Sequence, residues 1–364
     1  MKKRILSVLL LTFLLVSLLP TTALAAQNEI TVYNWGQYIS DGTDDSMDVI
    51  KEFEAETGIK VNYLTFDSNE SMYTKLKTGG TSYDVIIPSD YMIAKLISED
   101  MLEPIDFANT PNYQYIDDSF RDQAYDPTNA YSVPYTWGTL GIIYNSTMVD
   151  GDIDSWDAMF DEKYAGNVLM IRNSRDALAA ALLDLGYDIN TTDESQIREA
   201  YELLADAKSK GVYQSFVMDE VFGKMEGSNA AIAMYYAGDY LTMLDNNPDL
   251  KFVVPKEGSN WFVDAMCVLK TAQHKEEAEA WINFIASTES NLANMDYIGY
   301  ASPNLEALEG YPAYYEETYG EPLDEERYEI MAAPDDVLAR CELYTNLPAD
   351  TLTLYNDLWT ELGI

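Results

Sequence analysis

Between Ile30 and Ile97 the chain alternates between short β-branched runs and helical spacing, and that alternation restricts the fold more than any other feature. Ile30, Thr31 and Val32 read as a strand that breaks into the turn-forming, aromatic cluster Asn34-Trp35-Gly36-Gln37-Tyr38. Met47, Ile50 and Phe53 recur at helical spacing, with Gly58 as a stop. Residues 59–66 read as a strand with Val61, Tyr63 and Thr65 on one face. Asp67 and Glu70 then have capping-box spacing ahead of a helix bearing Met72 and Leu76, closed by Gly79-Gly80. The run Asp84-Val85-Ile86-Ile87-Pro88-Ser89 reads as a strand buried on both faces, and a helix starting near Asp90 carries Met92, Leu96 and Ile97. This is βαβαβ, the opening of a doubly wound α/β sheet.

Residues 104–133 are loop-rich, with Pro104, Pro111 and Pro127. Beyond them the pattern predicts strands over 138–145, 168–171, 230–236 and 250–254, and helices over 174–185 and 193–210. A second α/β block therefore begins near Trp137–Gly141, and 364 residues suffice for two domains. Residues 263–269 predict an internal strand. Residues 275–286 predict a helix with Ala278, Ile282 and Ile285 inward. The last helix, over 350–362, is expected to bury Leu352, Tyr355, Trp359 and Leu362. There is no internal repeat.

Lys2, Lys3 and Arg4 precede an apolar run from Ile5 to Leu19, followed by the small-residue stretch Ala23-Leu24-Ala25 before Ala26. Residues 1–26 read as a secretory signal peptide. An uncleaved anchor is the alternative, although the run is short for a spanning helix. No cysteine stands near the cleavage site, so no lipid anchor is expected. The leader holds three cations and no acid, so its loss deepens the formal net charge of −40 by three. Such a surface repels nucleic acid and anionic membrane and attracts cationic solutes, while also serving solubility. Cys267 and Cys341, the two cysteines, could form a disulfide in an oxidising compartment, which spacing alone does not decide.

Catalytic signals are sparse. The single histidine, His274, sits among Gln273, Lys275 and Glu276 at a helix start, an ordinary surface position. The chain has no G-x-S-x-G elbow, P-loop, G-x-G-x-x-G after a strand or H-E-x-x-H, and no zinc spacing, so no cofactor or metal is expected. What recurs is an aromatic beside a carboxylate or small polar residue at the ends of strands. Ser89 and Tyr91 follow one; Asn173 and Asp176 follow another; Tyr236 and Asp239 share the run YYAGD; Phe262 and Asp264 lie in NWFVDAM; Tyr300 lies in IGYASPN. Each alone is explained by packing. Together they suggest a pocket for an organic cation, because ring faces attract ammonium groups by about 0.5–2 kcal/mol each and carboxylates add charge-assisted hydrogen bonds.

At these residues the chain resembles the periplasmic spermidine/putrescine-binding proteins of polyamine ABC importers. The likeness is carried by YNWGQY, ETGIKV, SNESMYTKLKTGG, YDVIIPSDY, YSVPYTWG, VVPKEGSNWFVDAM, INFIAS and IGYASPN, from about Glu29 to the C-terminus. The resemblance implies a two-lobed type II periplasmic-binding-protein fold with a ligand cleft between lobes. It places lobe one at 27–138 plus 262–308, and lobe two at 142–258 plus 309–364. It also implies delivery of a polyamine to permease subunits, action as a monomer, no enzymatic activity, and a periplasmic or cell-surface location.

Carried over by position, Trp35, Tyr38, Ser89, Tyr91 and Tyr300 match ligand contacts, Asp264 matches the family's diagnostic carboxylate, and Asp176 stands where the family has a glutamate. The departures are Asn173 for an aspartate, Tyr236 for a tryptophan, Phe262 for the tryptophan of spermidine binders, Gln37 for an acid, and Tyr344 for a glutamine. Trp261, next to Phe262, would compensate only through a register shift. Asp239 and Phe262 resemble putrescine-preferring members, so the site reads as a hybrid. Another small amine, an amino acid or a sugar on the same fold is the rival reading, and a secreted hydrolase using a carboxylate pair is a more distant one.

Overall fold

The computed structural model describes residues 28–43 and 45–364; the leader lies outside the described residues. The chain opens with β1 (Glu29–Trp35), α1 (Val49–Thr57), β2 (Lys60–Phe66), α2 (Asn69–Thr78), β3 (Val85–Ile86), α3 (Asp90–Ser98) and the short β4 (Leu102–Glu103). β1 lies between β2 and β3, parallel to both. Its side chains alternate, so Ile30 and Val32 face one core with Phe53 of α1, while Tyr33 faces another with Phe66, Met72 and Met92. Helices thus cover both faces, the condition under which a parallel sheet is stable.

β5 (Ser132–Asn145) is buried at every residue. It is followed by β6 (Val168–Ile171), α4 (Ser174–Asp184), α5 (Glu194–Ser209), β7 (Tyr213–Val217), α6 (Glu220–Glu226), β8 (Ile232–Tyr236), α7 (Ala237–Asn246) and β9 (Leu250–Val253). The chain returns through β10 (Ser259–Leu269), then α8 (Lys275–Ile285), α9 (Thr288–Ile298), α10 (Leu305–Tyr319), α11 (Glu325–Met331), α12 (Asp335–Leu338), β11 (Cys341–Glu342) and α13 (Ala349–Leu362). The strand order is β2-β1-β3-β10-β5-β8-β6-β7. β5 is the seam: Ser132 to Thr139 pair with β10, whereas Leu140 to Asn145 pair with β8 and β9.

β10 and β5 slip register between Asp264 and Ala265, whose partners are Thr136 and Pro134. Pro134 has no N–H to give to the ladder, so a bulge is where a proline can stand inside a strand. The bulge also re-aims the side chains beside it, Asp264 among them.

Several expectations are corrected. The second helix is capped by Ser68 with Ser71 rather than by Asp67 with Glu70. The seam strand starts at Ser132, six residues before the sequence suggests. In α13 Tyr355 and Leu362 are buried, but Leu352 and Trp359 are half-buried and Thr351 and Leu358 take their place. Cys267 and Cys341 are both buried and free, so the disulfide is absent. Among the described residues no helix is long and apolar enough to cross a membrane.

Candidate functional site

The parallel pair β1 and β3 and the parallel pair β6 and β8 run in opposite senses, so their carboxyl ends meet at the seam, and the loops and helix starts that follow them surround one cavity partly open to solvent. All twelve residues singled out in the sequence line it: Trp35 and Tyr38 after β1, Ser89 and Tyr91 around the start of α3, Asn173 and Asp176 around the start of α4, Tyr236 and Asp239 around the start of α7, Phe262 and Asp264 on β10, Tyr300 after α9, and Tyr344 after β11.

Helices α3, α4 and α7 all begin at this cavity, and a helix N-terminus by itself favours anions. Each of these first turns carries an aspartate: Asp90, Asp176 and Asp239. With Asp264 from β10 they reverse the sign of the cavity. Their hydrogen-bond partners are hydroxyls and backbone amides. Tyr344 and Tyr236 donate to Asp176 Oδ1 and Oδ2 at 2.9 and 2.7 Å. Tyr300 donates to Asp239 Oδ2 at 2.8 Å. Tyr38 donates to Asp264 Oδ2 at 2.8 Å, while the buried Oδ1 has no partner within hydrogen-bond geometry. Asp90 accepts from the N–H of Val263 at 3.2 Å and of Tyr91 at 2.6 Å. Among the described residues none of the four forms a salt bridge.

Burial disfavours the ionised form. It pushes Asp176 and Asp264 up to about 6 against the lowering pull of nearby hydroxyls, Tyr236 and Tyr344 for the first, Ser89 and Tyr38 for the second. Asp239 rises to about 7, with Tyr300 opposing. Asp90 rises to about 8 by burial, with the Val263 amide opposing.

The aromatic wall spans both sections of the sheet. Phe262 packs edge-on against Tyr236 at 5.4 Å and against Tyr300 at 6.1 Å. Gly238 lies flat beneath Tyr300, where any Cβ would collide with the ring. Trp261 points elsewhere, packing against Trp137 and Phe120, so no register shift brings it to the cavity. At the Asp176 end, Arg175 is buried with its guanidinium over the rings of Tyr344 (4.5 Å), Tyr91 (5.1 Å) and Tyr355 (5.7 Å). It donates to the carbonyl of Thr345 and to Asn190 Oδ1 at 3.3 and 3.4 Å.

Sequence reasoning missed some of this lining. Asp90 stood in view inside IIPSDY but reads equally well as a plain helix start. Asn69 joins Ser89 and Tyr91 through its amide, at 3.1 Å to each hydroxyl. Met218, Asp219 and Phe222 come from the β7–α6 junction, a segment with no clear spacing signal. Among the described residues no group of three or more His, Cys, Asp or Glu is placed to hold a metal ion.

A two-sided α/β architecture with a ligand-sized cavity at its seam defines a class, and the chain belongs to it: residues 48–320 match the bacterial extracellular solute-binding protein family. The spermidine/putrescine-binding periplasmic protein of Salmonella typhimurium is 34% identical over 290 residues, 79% of this chain and 81% of that protein. The putrescine-binding periplasmic protein SpuD of Pseudomonas aeruginosa is 30% identical over 361 residues, 93% of each. Among solved structures, the spermidine/putrescine ABC transporter substrate-binding protein PotD of Streptococcus pneumoniae matches with a TM-score of 0.74 and 36% identity, covering 92% of this chain and 98% of that one. The fold is therefore the two-lobed one of the periplasmic binding proteins, and these relatives are binding components of transport systems.

Proposed function

We propose that this chain is the exported substrate-binding subunit of an ABC importer, capturing linear polyamines such as putrescine and spermidine and handing them to permease subunits. The observation that carries this reading is the set of four aspartates at one cavity, three of them in helix first turns and, among the described residues, none in a salt bridge. A neutral sugar would stack on the same tyrosines and its hydroxyls would satisfy Asp264 Oδ1, but it would leave the buried carboxylates without counter-charge, a cost of several kcal/mol. In this account Asp176, Asp239 and Asp264 take ammonium groups, while Trp35, Tyr38, Tyr91, Tyr236, Phe262 and Tyr300 enclose the methylene chain. Ser89, Asn173 and Tyr344 complete the wall.

The lobes in this proposal are 27–138 with 262–308, and 142–258 with the C-terminal segment. The change of partner in β5 between Thr139 and Leu140 supports the first boundary. The last crossing is better placed after Tyr319 than at 308, because α10 runs unbroken to Tyr319 and packs along α9, whereas α11 packs on α7. The leader over 1–26 directs export, and the chain acts as a monomer.

Thermal unfolding with a panel of polyamines beside a panel of sugars tests the reading, together with mass spectrometry of whatever co-purifies. Putrescine and spermidine are expected to raise the midpoint while sugars leave it unchanged. Stabilisation by a sugar alone would overturn the assignment.

A further inference from the structure

The two ends of the cleft differ. At the Asp176 end the buried Arg175, wedged among Tyr91, Tyr344 and Tyr355, sets a positive charge behind the wall and closes the passage to a further ammonium. At the Asp239 end the wall continues. Gln37, Phe222 and Asp239 also line a second cavity, open to solvent, between α7, α9 and α10.

The second cavity repeats the chemistry of the first. Asp296 on α9 accepts from the Tyr311 hydroxyl at Oδ1 (3.2 Å) and from the Tyr319 hydroxyl at Oδ2 (2.9 Å), both on α10. That is the arrangement of Asp176 between Tyr344 and Tyr236. The cation of this wall, Arg327, is engaged at both terminal nitrogens by Asp245, at 2.8 and 3.0 Å. Its charge is therefore already matched. The two cavities adjoin at Gln37, Phe222 and Asp239, which line both.

We propose that the second cavity receives the distal ammonium of a linear polyamine with four or more amines, threaded past Asp239 from the main cleft. This rests on the polyamine reading above and adds a direction to it. The chain end nearest Arg175 is fixed, and extra length runs toward Asp296. A diamine or a triamine fills the main cleft alone.

The Tyr311 and Tyr319 hydrogen bonds also tie α10 to α9, and that role by itself would make losses independent of ligand length. Calorimetric titration with putrescine and with the tetra-amine spermine separates the two. Asp296→Asn keeps the shape and removes the charge; Thr318→Arg places a cation at the mouth from an exposed position on α10, at the loss of one hydroxyl bond to the Tyr314 carbonyl within the same helix. Both variants are expected to weaken spermine by about tenfold while leaving putrescine within about twofold. Unchanged spermine affinity, equal losses for both ligands, or a wild type that binds putrescine but ignores spermine would overturn the second cavity. A wild type that binds no polyamine would instead overturn the capture reading.

Discussion

Asn173 shows how one side chain can serve both fold and site. Its Oδ1 caps α4, accepting from the N–H groups of Arg175 at 3.0 Å and Asp176 at 3.5 Å. Aspartate caps a helix as well as asparagine does, so Asn173→Asp should keep the fold and add a charge beside Asp176. A triamine has an ammonium to use it and a diamine is already matched. Competition titrations should therefore show spermidine gaining on putrescine, with Asp239→Asn hurting putrescine more. Equal shifts for both ligands would contradict the hybrid reading.

The carboxyl groups also set a pH dependence. Asp176 and Asp264 stand near 6 and Asp239 near 7, all above their ordinary value of 3.8. An ammonium pairs with the ionised form, so ligand and proton compete. Affinity should fall as pH falls from about 7 to 5, and binding near pH 6 should release on the order of one proton. For the ligand-free protein the sign is opposite to that of a salt-bridged acid. Between about pH 4 and 7 the folded state keeps protons that the unfolded state has lost, so these groups stabilise the fold less as pH rises. Calorimetry at pH 6 in buffers of different ionisation enthalpy counts the protons, and a count of zero would contradict the account. At this scale the sequence led to residues that line one cavity, because its acids stand beside aromatics at strand ends. Arg175 was not legible: its cage is built from Tyr91, Tyr344 and Tyr355, which are far apart in sequence.

At the scale of elements, strands with β-branched runs and helices with clean spacing were readable, β6 to the residue. The misses have local causes. Pro134 argues against a strand, yet the bulge at Asp264 accommodates it, so the first half of β5 was hidden. Gly310 and Pro312 obscure the helical spacing of α10. The cap at Ser68 was missed because a Ser/Ser reciprocal pair looks weaker in sequence than an acid at the fourth place. One junction between elements makes its own prediction. Gly238, in the first turn of α7, supports the Tyr300 ring from the other lobe. Gly238→Ala should strain that contact by about 1–3 kcal/mol, the usual cost of overpacking. Because the contact spans the lobes, the strain should appear as weaker ligand binding, with the unfolding midpoint of the ligand-free protein little changed. A lowered midpoint with unchanged affinity would place the contact in the fold and not in the closure.

For the whole molecule, β5 and β10 run through both lobes and carry Thr136 and Asp264 side by side at the seam. In the proposed lobe division the cavity wall is shared, with Tyr91 and Tyr300 on one side and Tyr344 and Asp239 on the other. Their contacts across the cleft form only when the lobes are together. The alternation of elements was legible, and β5 changes partners between Thr139 and Leu140, within the span Trp137–Gly141. The path of the C-terminal third was not, since the chain passes from α10 to α11 without a strand to mark the change. The central claim is that this cleft closes on a polyamine through buried carboxylates. Calorimetric titration of spermidine into the wild type and into Asp264→Asn tests it most directly. The account predicts saturable binding to the wild type and a loss of about 2–4 kcal/mol in a mutant that remains folded, as for a desolvated charge pair missing one partner. Identical isotherms for the two folded proteins would contradict it.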